Sequence, residues 1–447
     1  CGMTEARVLA TPTRWPRFLL PEPPATDPLD LEAAVQAGAF AGLRSAVLEL
    51  GAEGVMLAIG ESGLRGRGGA GVATSEKWRA CAGAEADLRY VVVNAYQADP
   101  AVLTDRILIE RNPYAVLEGA AIAAFAVGAS EVIVAVRVEA ADAIQVLESA
   151  VAAAEAAGYC GPDVLGSGTQ INVSVRPLQG AYMLGEETVL LKGLEGKRGQ
   201  PEQQPPYPTT RGLFGKPTLI HGPQTFAAVP SILTGGAARF AEIGATASRG
   251  TILVQISGAV ARPGIAEVPL GVTIREIVDV AGGIPAQRRL KGLLVGGPSG
   301  GILPVEGMSV GYDQASLEEA GAYIGSGSIV ALDQHSCVVD LAAVLTRFCA
   351  DEACGKTIPC RIGLRRLAES GARICEGQPR GDELTRITDL SSDIVESALC
   401  DHERRSTLAL QSVVRYFRDE LDAHIVRNTC PAGICQPKAE ARAGAVS

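Results

Sequence analysis

The stretch Tyr90-Val91-Val92-Val93-Asn94-Ala95 decides the fold, because a short apolar run rich in β-branched residues predicts a buried strand. A helical pattern over residues 113–127 follows, and the strand signal returns at residues 131–136. A second helical pattern over residues 140–157 leads to a third strand at residues 170–175. Strand and helix therefore alternate, which predicts a mostly parallel sheet with helices on its faces.

The pattern changes near residue 250. Residues 251–258 predict a strand and a turn, and a second strand is predicted near residues 267–269. A helix over residues 273–280 and a strand at residues 293–297 complete the pattern of a small sheet folded over one helix. From about Ser336 to Val426 the chain is predicted to be helical.

Length and charge set broad limits on the function. A chain of 447 residues is too long for one compact domain and predicts two or three. Its net charge of −10 argues against a general nucleic-acid-binding surface. We find neither an uncharged apolar run of about 18 residues nor a basic-then-apolar leader. We therefore expect a cytoplasmic protein without a membrane span, either free or associated with a membrane through a complex.

The cysteines are unevenly placed, with eight of the eleven between Cys337 and Cys435. Such clustering in a long chain without a secretion signal favours metal or redox chemistry over disulfides. Cys354 and Cys360 lie six positions apart, and Cys400 follows forty positions later. Thiolates at short spacings hold iron–sulfur centres, while zinc and buried free thiols are the alternatives.

A glycine-rich loop precedes the first strand, with the sequence Gly63-Leu64-Arg65-Gly66-Arg67-Gly68-Gly69-Ala70-Gly71, and Lys77-Trp78 follows it. Glycines allow backbone N–H groups to crowd around an anion, and Arg or Lys supplies countercharge. The loop therefore predicts a site for a phosphate-bearing cofactor. The alternative is a surface loop whose glycines adopt positive φ.

A second glycine turn carries two adjacent acids, Glu186 and Glu187, within residues 180–188. The pair fits ribose hydroxyls or the nicotinamide amide, and the alternative is a helix N-terminus whose dipole stabilises Glu. Tyr207 lies in the extended stretch Gln204-Pro205-Pro206-Tyr207-Pro208. It is suited either to stacking on a flat ring or to packing within a linker.

Together these segments resemble the family typified by the 51 kDa NADH-oxidising subunit of respiratory complex I. That family also includes flavoprotein subunits of NAD-dependent hydrogenases and formate dehydrogenases. The resemblance runs from about residue 45 to 426, and further matching segments are Glu195-Gly196-Lys197, Phe214 to Thr218, Gly296 to Ser299, Ser336 to Asp340 and Phe417 to Glu420.

The resemblance implies an α/β fold with a Rossmann-like flavin domain, a ubiquitin-like β-grasp domain and a C-terminal helical bundle holding a [4Fe–4S] cluster. It also implies FMN, hydride transfer from NADH and single-electron transfer onward, with the flavin rather than a side chain performing the chemistry. The expected parts are an extended N-terminal segment (1–30), an FMN- and NADH-binding α/β domain (31–247), a β-grasp domain (248–332), a helical iron–sulfur domain (333–427) and a C-terminal tail (428–447). Expected partners are a two-iron thioredoxin-like subunit and a larger catalytic or respiratory subunit.

The resemblance also implies site residues. Those expected at the FMN phosphate and the pyridine nucleotide are Gly66, Arg67, Gly68, Gly69 and Lys77. Those expected at the flavin and nicotinamide are Asn94, Tyr182, Gly185, Glu186, Glu187 and Thr225, together with Tyr207, and Glu187 is expected to tune the flavin. Three of the four family cluster ligands correspond to Cys354, Cys360 and Cys400, while the fourth is open, with Cys349 or Cys375 as candidates.

Four segments depart from the family pattern. After Asn94-Ala95 the family has Asp-Glu-Ser-Glu-Pro, where this chain has residues 96–100, Tyr-Gln-Ala-Asp-Pro. Val72-Ala73 replaces Phe-Pro, and residues 221–224, His-Gly-Pro-Gln, replace Asn-Asn-Val-Glu. Thr357 replaces the middle cysteine of the cluster motif, and a neutral hydroxyl is a poor substitute for a thiolate at iron.

Three functions are consistent with these departures. The first is an NADH:FMN electron-transfer subunit with a modified pocket. The second is a non-catalytic structural paralogue that keeps the fold. The third is an FMN relay serving a ferredoxin-type partner instead of NADH.

Overall fold

Four parallel strands form the first sheet of the computed structural model, which describes residues 7–21 and 23–435. Parts of the predicted N-terminal segment and C-terminal tail therefore lie outside the described residues. In chain order the strands are Tyr90–Ala95, Glu131–Arg137, Asn172–Leu178 and Thr218–His221. The first lies between the second and the fourth, and the third is at an edge. The fourth was not predicted, because four residues before a Gly-Pro turn give too short a pattern.

Helices cover this sheet and extend the core on both sides. They are Leu31–Gln36, Ala41–Ser45, Ala46–Leu50 (a π-helix), Gly51–Ser62, Thr74–Gly83, Thr104–Arg111, Pro113–Val127, Ala141–Ala156, Glu187–Leu194, Pro208–Arg211, Pro223–Gly235 and Ala237–Ala241. The helix Pro113–Val127 is almost wholly buried. Gly119 within it allows the close approach of Pro223–Gly235, since a Cβ there would overlap the carbonyl of Phe226.

The second sheet has five strands around one helix. The strands are Thr251–Gly258, Gly264–Pro269, Leu290–Val295, Gly301–Pro304 and Ser328–Asp333. The first and last pair in parallel at the centre, and the other pairings are antiparallel. The helix Ile274–Val280 begins with a capping box, in which Thr273 and Glu276 bond to each other's backbone N–H groups. The predicted β-grasp fold is therefore confirmed.

The remaining described chain is mainly helical, as predicted. Its helices are Val338–Asp351, Pro359–Leu364 (a π-helix), Arg365–Cys375, Glu383–Glu396, Asp401–Arg405, Leu408–Tyr416 and Arg418–Ile425. None of the helices in the described part of the chain combines the length and hydropathy that crossing a membrane requires.

The N-terminal segment is fastened to the second sheet by a buried carboxylate. Glu267 accepts the backbone N–H groups of Phe18, Leu19 and Leu20 and the hydroxyl of Thr251. Glu267 is only 2% exposed, and these donors supply the hydrogen bonds that its buried carboxylate needs. They hold the N-terminal segment in place although its described residues form no helix before residue 31.

Candidate functional site

The glycine loop joins two helices at the edge of the first sheet and borders open space. Gly69 has φ +96°, a conformation that other residues rarely adopt. A Cβ on Gly68 would meet no atom within 4 Å, and one on Gly66 would lie 4.0 Å from Nδ1 of His221. The loop therefore leaves room beside its backbone, which fits the close approach of a phosphate group.

The side chain of Arg67 is occupied by protein carbonyls. Its guanidinium donates to the carbonyl of Thr251 at 3.1 Å and to the carbonyl of Arg249. Its backbone N–H donates to Oγ1 of Thr225 at 2.9 Å. Burial lowers the pKa of Arg67 to about 9, which leaves it charged at neutral pH. The guanidinium thus ties the loop to the second sheet, and the phosphate contact expected of it stays a prediction.

The structure brings Lys77 and Glu187 together as an ion pair of 2.9 Å. Lys77 also donates to the carbonyl of Ile220 at 3.0 Å, and Glu187 accepts from Nε2 of Gln204 at 3.3 Å. Both side chains keep some exposure, 18% and 30%. The pair therefore presents opposite charges next to each other at a surface that a ligand can reach.

The other acid of the turn, Glu186, bonds to the backbone of the helix that follows it. Its carboxylate accepts the N–H groups of Thr188 and Val189 and so caps the helix Glu187–Leu194. Burial, opposed by these bonds, raises the pKa of Glu186 above its usual range. Nearby, Asn94 donates to the carbonyl of Gly185 at 2.9 Å, which fixes the turn against the first strand.

Tyr182 lies where the three parts of the fold meet. Its backbone N–H donates to Glu352 at 2.8 Å, and its ring contacts Phe348 edge-on at 5.3 Å. Its hydroxyl lies 3.5 Å from Oγ of Ser299, and burial raises the pKa of that hydroxyl. Tyr207 is different, because it is 55% exposed and hence accessible to a planar ligand.

Three residues that depart from the family pattern, His221, Gln224 and Tyr96, are buried. His221 is buried and lies 3.2 Å from the indole Nε1 of Trp78, and burial lowers the His221 pKa well below its usual value. The side-chain amide of Gln224 donates to Oδ1 of Asp105 at 2.8 Å and accepts the backbone N–H of Leu253 at 2.8 Å. Tyr96 is fully buried, and its hydroxyl has no hydrogen-bond partner among the described residues.

Three of the late thiols, Cys354, Cys360 and Cys400, face one region. Burial raises the pKa of Cys360 to about 12, and the charges of Glu403, Cys400 and Cys354 add to this shift. The three sulfurs do not all lie within 4.8 Å of one another in the described structure. Thiolates on a single ion with bonds of about 2.3 Å lie at most about 4.6 Å apart. This arrangement therefore does not fit a single metal ion bound by all three thiolates.

Among the described residues, Thr357 and Glu403 rather than a fourth thiol lie beside these three cysteines. Thr357 donates to Oε1 of Glu403 at 2.8 Å, and Glu403 is only 1% exposed. Cys349 lies elsewhere, with its thiol 3.6 Å from the carbonyl of Pro298 and beside Ser406. The structure therefore does not bring Cys349 to the other three, and Cys375 lies with Cys435 instead.

Comparison with known proteins assigns these regions. Residues 59–231 match the family model for the Nuo51 FMN-binding domain, residues 253–303 the SLBB domain, and residues 340–424 the NADH-ubiquinone oxidoreductase-F iron-sulfur binding region. The F 2 subunit of NADH-quinone oxidoreductase from Rhizobium meliloti strain 1021 is 38% identical, covering 88% of this chain and 94% of the relative. The chain belongs to the family of NADH-quinone oxidoreductase F subunits. The predicted family is confirmed.

A second relative and a solved structure are also similar to this chain. NADP-reducing hydrogenase subunit HndC of Solidesulfovibrio fructosivorans is 37% identical, covering 92% of this chain and 83% of the relative. A crystal structure of NAD⁺-reducing [NiFe]-hydrogenase in the H2-reduced state superposes with a TM-score of 0.79 at 30% identity. That match covers 89% of this chain and 66% of the hydrogenase chain, so the chain spans just under two thirds of the solved relative.

Within this member of the F-subunit group, the FMN-binding region contains the glycine loop, Lys77 and the 182–187 turn, and the iron–sulfur region contains the three thiols. Sequence reasoning assigned no role to Cys430 and Cys435. The structure places both beside Cys337 and His424, with the four ligand atoms within 4.8 Å of one another. A Cys-x4-Cys pair six residues after a histidine was the available signal, but Cys337 is too distant in sequence for spacing to reveal it.

Proposed function

We propose that the chain is an electron-transfer flavoprotein subunit, in which FMN accepts a hydride from NADH and an iron–sulfur cluster carries the electrons onward singly. The observation that best supports this is the contact between the cysteine loop and the flavin domain. Lys356, between Cys354 and Thr357, donates to the carbonyl of Pro201. Burial raises the pKa of Cys400 to about 11, and the neighbouring charge of Glu186 adds to this shift. The two cofactor regions therefore adjoin directly.

The glycine loop and Lys77 hold the FMN phosphate in this proposal. Backbone N–H groups of the loop would donate to the phosphate oxygens, because Gly68 leaves open space beside them. Lys77 supplies positive charge beside the loop, and its hydrogen bonds to Glu187 and to the carbonyl of Ile220 hold the ammonium group in place. FMN, when bound, supplies the hydride and single-electron chemistry that the side chains do not.

Glu187 orients the nicotinamide end of NADH in the proposed complex. Its second oxygen is held only by a 3.3 Å contact with Gln204, so an incoming amide or hydroxyl can compete for it. Tyr207, exposed three residues further along the same arm, provides a face for a planar ring.

Cys354, Cys360 and Cys400 hold the cluster in this proposal. All three lie in or beside helices that fix their positions, and together they supply three thiolates. In place of a fourth thiol, Thr357 and Glu403 would offer only oxygen atoms to the cluster, which predicts that it loses iron more readily than an all-cysteine one.

A non-catalytic structural role is the second candidate, and the fully buried Tyr96 and the buried His221 favour it. Both occupy positions where the family pattern has small polar residues, and both are packed into the protein. An isolated chain without NADH:ferricyanide activity after FMN reconstitution would support this role.

The proposed partners are a two-iron thioredoxin-like subunit and a larger catalytic or respiratory subunit. Support comes from the relatives, each of which is named as a subunit of a larger enzyme. The test of function is the anaerobic NADH:ferricyanide rate of the FMN-reconstituted chain, with NADH replaced by reduced ferredoxin as the comparison. Reduction by ferredoxin alone would support the relay that serves a ferredoxin-type partner.

A further inference from the structure

Four side chains outside the proposed electron route converge at the end of the described chain. They are Cys337, His424, Cys430 and Cys435, and one ligand atom of each lies within 4.8 Å of the others. Cys337 and His424 are buried, while Cys430 and Cys435 are half-buried. The group is separate from Cys354, Cys360 and Cys400 and shares no residue with it.

We infer that these four residues, the C-terminal Cys3His group, bind one zinc ion that fastens residues 428–435 to the helical domain. The inference does not depend on the proposed function, because it involves neither the flavin nor the cluster thiols.

The distances within the group match a tetrahedral ion. Bonds of about 2.3 Å to sulfur and about 2.0–2.1 Å to nitrogen, at tetrahedral angles, put two sulfurs about 3.8 Å apart and a sulfur and a nitrogen about 3.6 Å apart. The sulfurs of Cys337 and Cys435 are 3.7 Å apart, and Nε2 of His424 lies 3.4 Å from the sulfur of Cys337. Three sulfurs and one nitrogen form a common structural zinc set.

The imidazole of His424 is oriented for metal binding. Its Nδ1 lies 2.8 Å from the carbonyl of Glu420, and only a protonated Nδ1 donates a hydrogen bond there. Nε2 then carries the lone pair and faces the thiols. A ligand histidine whose other nitrogen donates to a backbone carbonyl is the usual arrangement at zinc.

Neither a disulfide nor an iron–sulfur cluster accounts for the group equally well. A disulfide joins two sulfurs at about 2.0 Å and leaves the third thiol and the imidazole without a role. In a four-iron cluster each thiolate binds a different iron, so the ligand sulfurs lie further apart than the 3.7 Å between Cys337 and Cys435. Four ligand atoms this close together fit a single ion.

The ion would join three segments of the helical domain. Cys337 caps the helix Val338–Asp351, and His424 lies in the last turn of Arg418–Ile425. Cys430 and Cys435 lie in the loop beyond, which the N–H of Cys435 closes onto the sulfur of Cys430 at 3.4 Å. Because Val338–Asp351 leads directly to Cys354, the zinc also steadies the helix that precedes the proposed cluster.

The experiment measures zinc, iron and FMN per chain in the full-length protein after gel filtration. We expect about one zinc in the wild type, loss of at least four fifths of it in Cys430→Ser and Cys435→Ser, and unchanged FMN. Cys375→Ser is the matched control, because Cys375 lies beside Cys435 but outside the group, and it should keep its zinc.

A second measurement keeps the inference testable if the serine variants do not fold. Wild-type chain stripped by a chelator should bind one Co²⁺ and show the visible bands of a tetrahedral thiolate site. A wild type that holds no zinc and binds no Co²⁺ would overturn the inference. So would zinc retained in both serine variants, zinc lost in Cys375→Ser, or loss of iron instead of zinc.

Discussion

Thr357→Cys is the perturbation that most sharply examines the cluster region. Thr357 stands where the family motif has its middle cysteine, and the substitution supplies the missing thiolate. We expect iron retained after dialysis against a chelator to rise toward four per chain, because all four corners then carry thiolates.

The same substitution has a cost that the structure allows us to estimate. The hydroxyl of Thr357 donates to Glu403 at 2.8 Å, and Glu403 is buried with its other oxygen held by the N–H of Leu399. A thiol is a weak donor, so one buried carboxylate oxygen loses its partner, which costs about 1–3 kcal/mol. Urea unfolding of the iron-free chain should show this loss.

Thr357→Ser is the matched control, because it keeps the hydroxyl donor and adds no thiolate. Its iron retention and its iron-free stability should both equal those of the wild type. If Thr357→Cys retained no more iron than Thr357→Ser, residue 357 would not lie at a ligand position, and the account of this region would be refuted.

Three further substitutions examine the flavin region. Arg67→Ala should lower the free energy of unfolding by about 1–3 kcal/mol, because one buried and one partly buried carbonyl lose their donor. Arg65→Ala, at an exposed position, should change the free energy of unfolding by less than about 0.5 kcal/mol in the same urea titration, and equal losses in the two variants would contradict this role of Arg67. Gly68→Ala should leave stability within about 0.5 kcal/mol while weakening FMN binding in a fluorescence titration, since the new methyl group enters only open space; unchanged affinity would place the phosphate elsewhere. Glu187→Gln should raise the flavin reduction potential, because it removes a negative charge and leaves Lys77 unbalanced; a redox titration without a shift would mean that the carboxylate is remote from the flavin.

The fold followed from the sequence for most segments whose pattern was long enough to be periodic. The strand Tyr90–Ala95 and the helix Pro113–Val127 were predicted within a residue or two. The strands Thr218–His221, Gly301–Pro304 and Ser328–Asp333 were missed. The first two have only four residues, which carry too few periods to separate strand from loop. Their pairing with distant strands, rather than local preference, determines their conformation.

The sequence suggested candidate site residues, but not the contacts that their side chains make. Sequence placed Arg67 in a phosphate-binding loop, yet its guanidinium bonds to carbonyls of residues 249 and 251, about 180 positions later. Likewise, nothing in the spacing of Cys337 indicated His424 as its neighbour. Such contacts join segments that are distant in sequence and meet only in the folded chain, which local patterns do not encode.

The most direct measurement of the central claim is an anaerobic visible spectrum of the FMN-reconstituted chain before and after addition of NADH. The account predicts a flavin absorption band that remains with the protein after gel filtration and bleaches when NADH is added. Absence of a flavin band after reconstitution would contradict the proposed cofactor. A bound flavin that NADH does not bleach would contradict the proposed reaction.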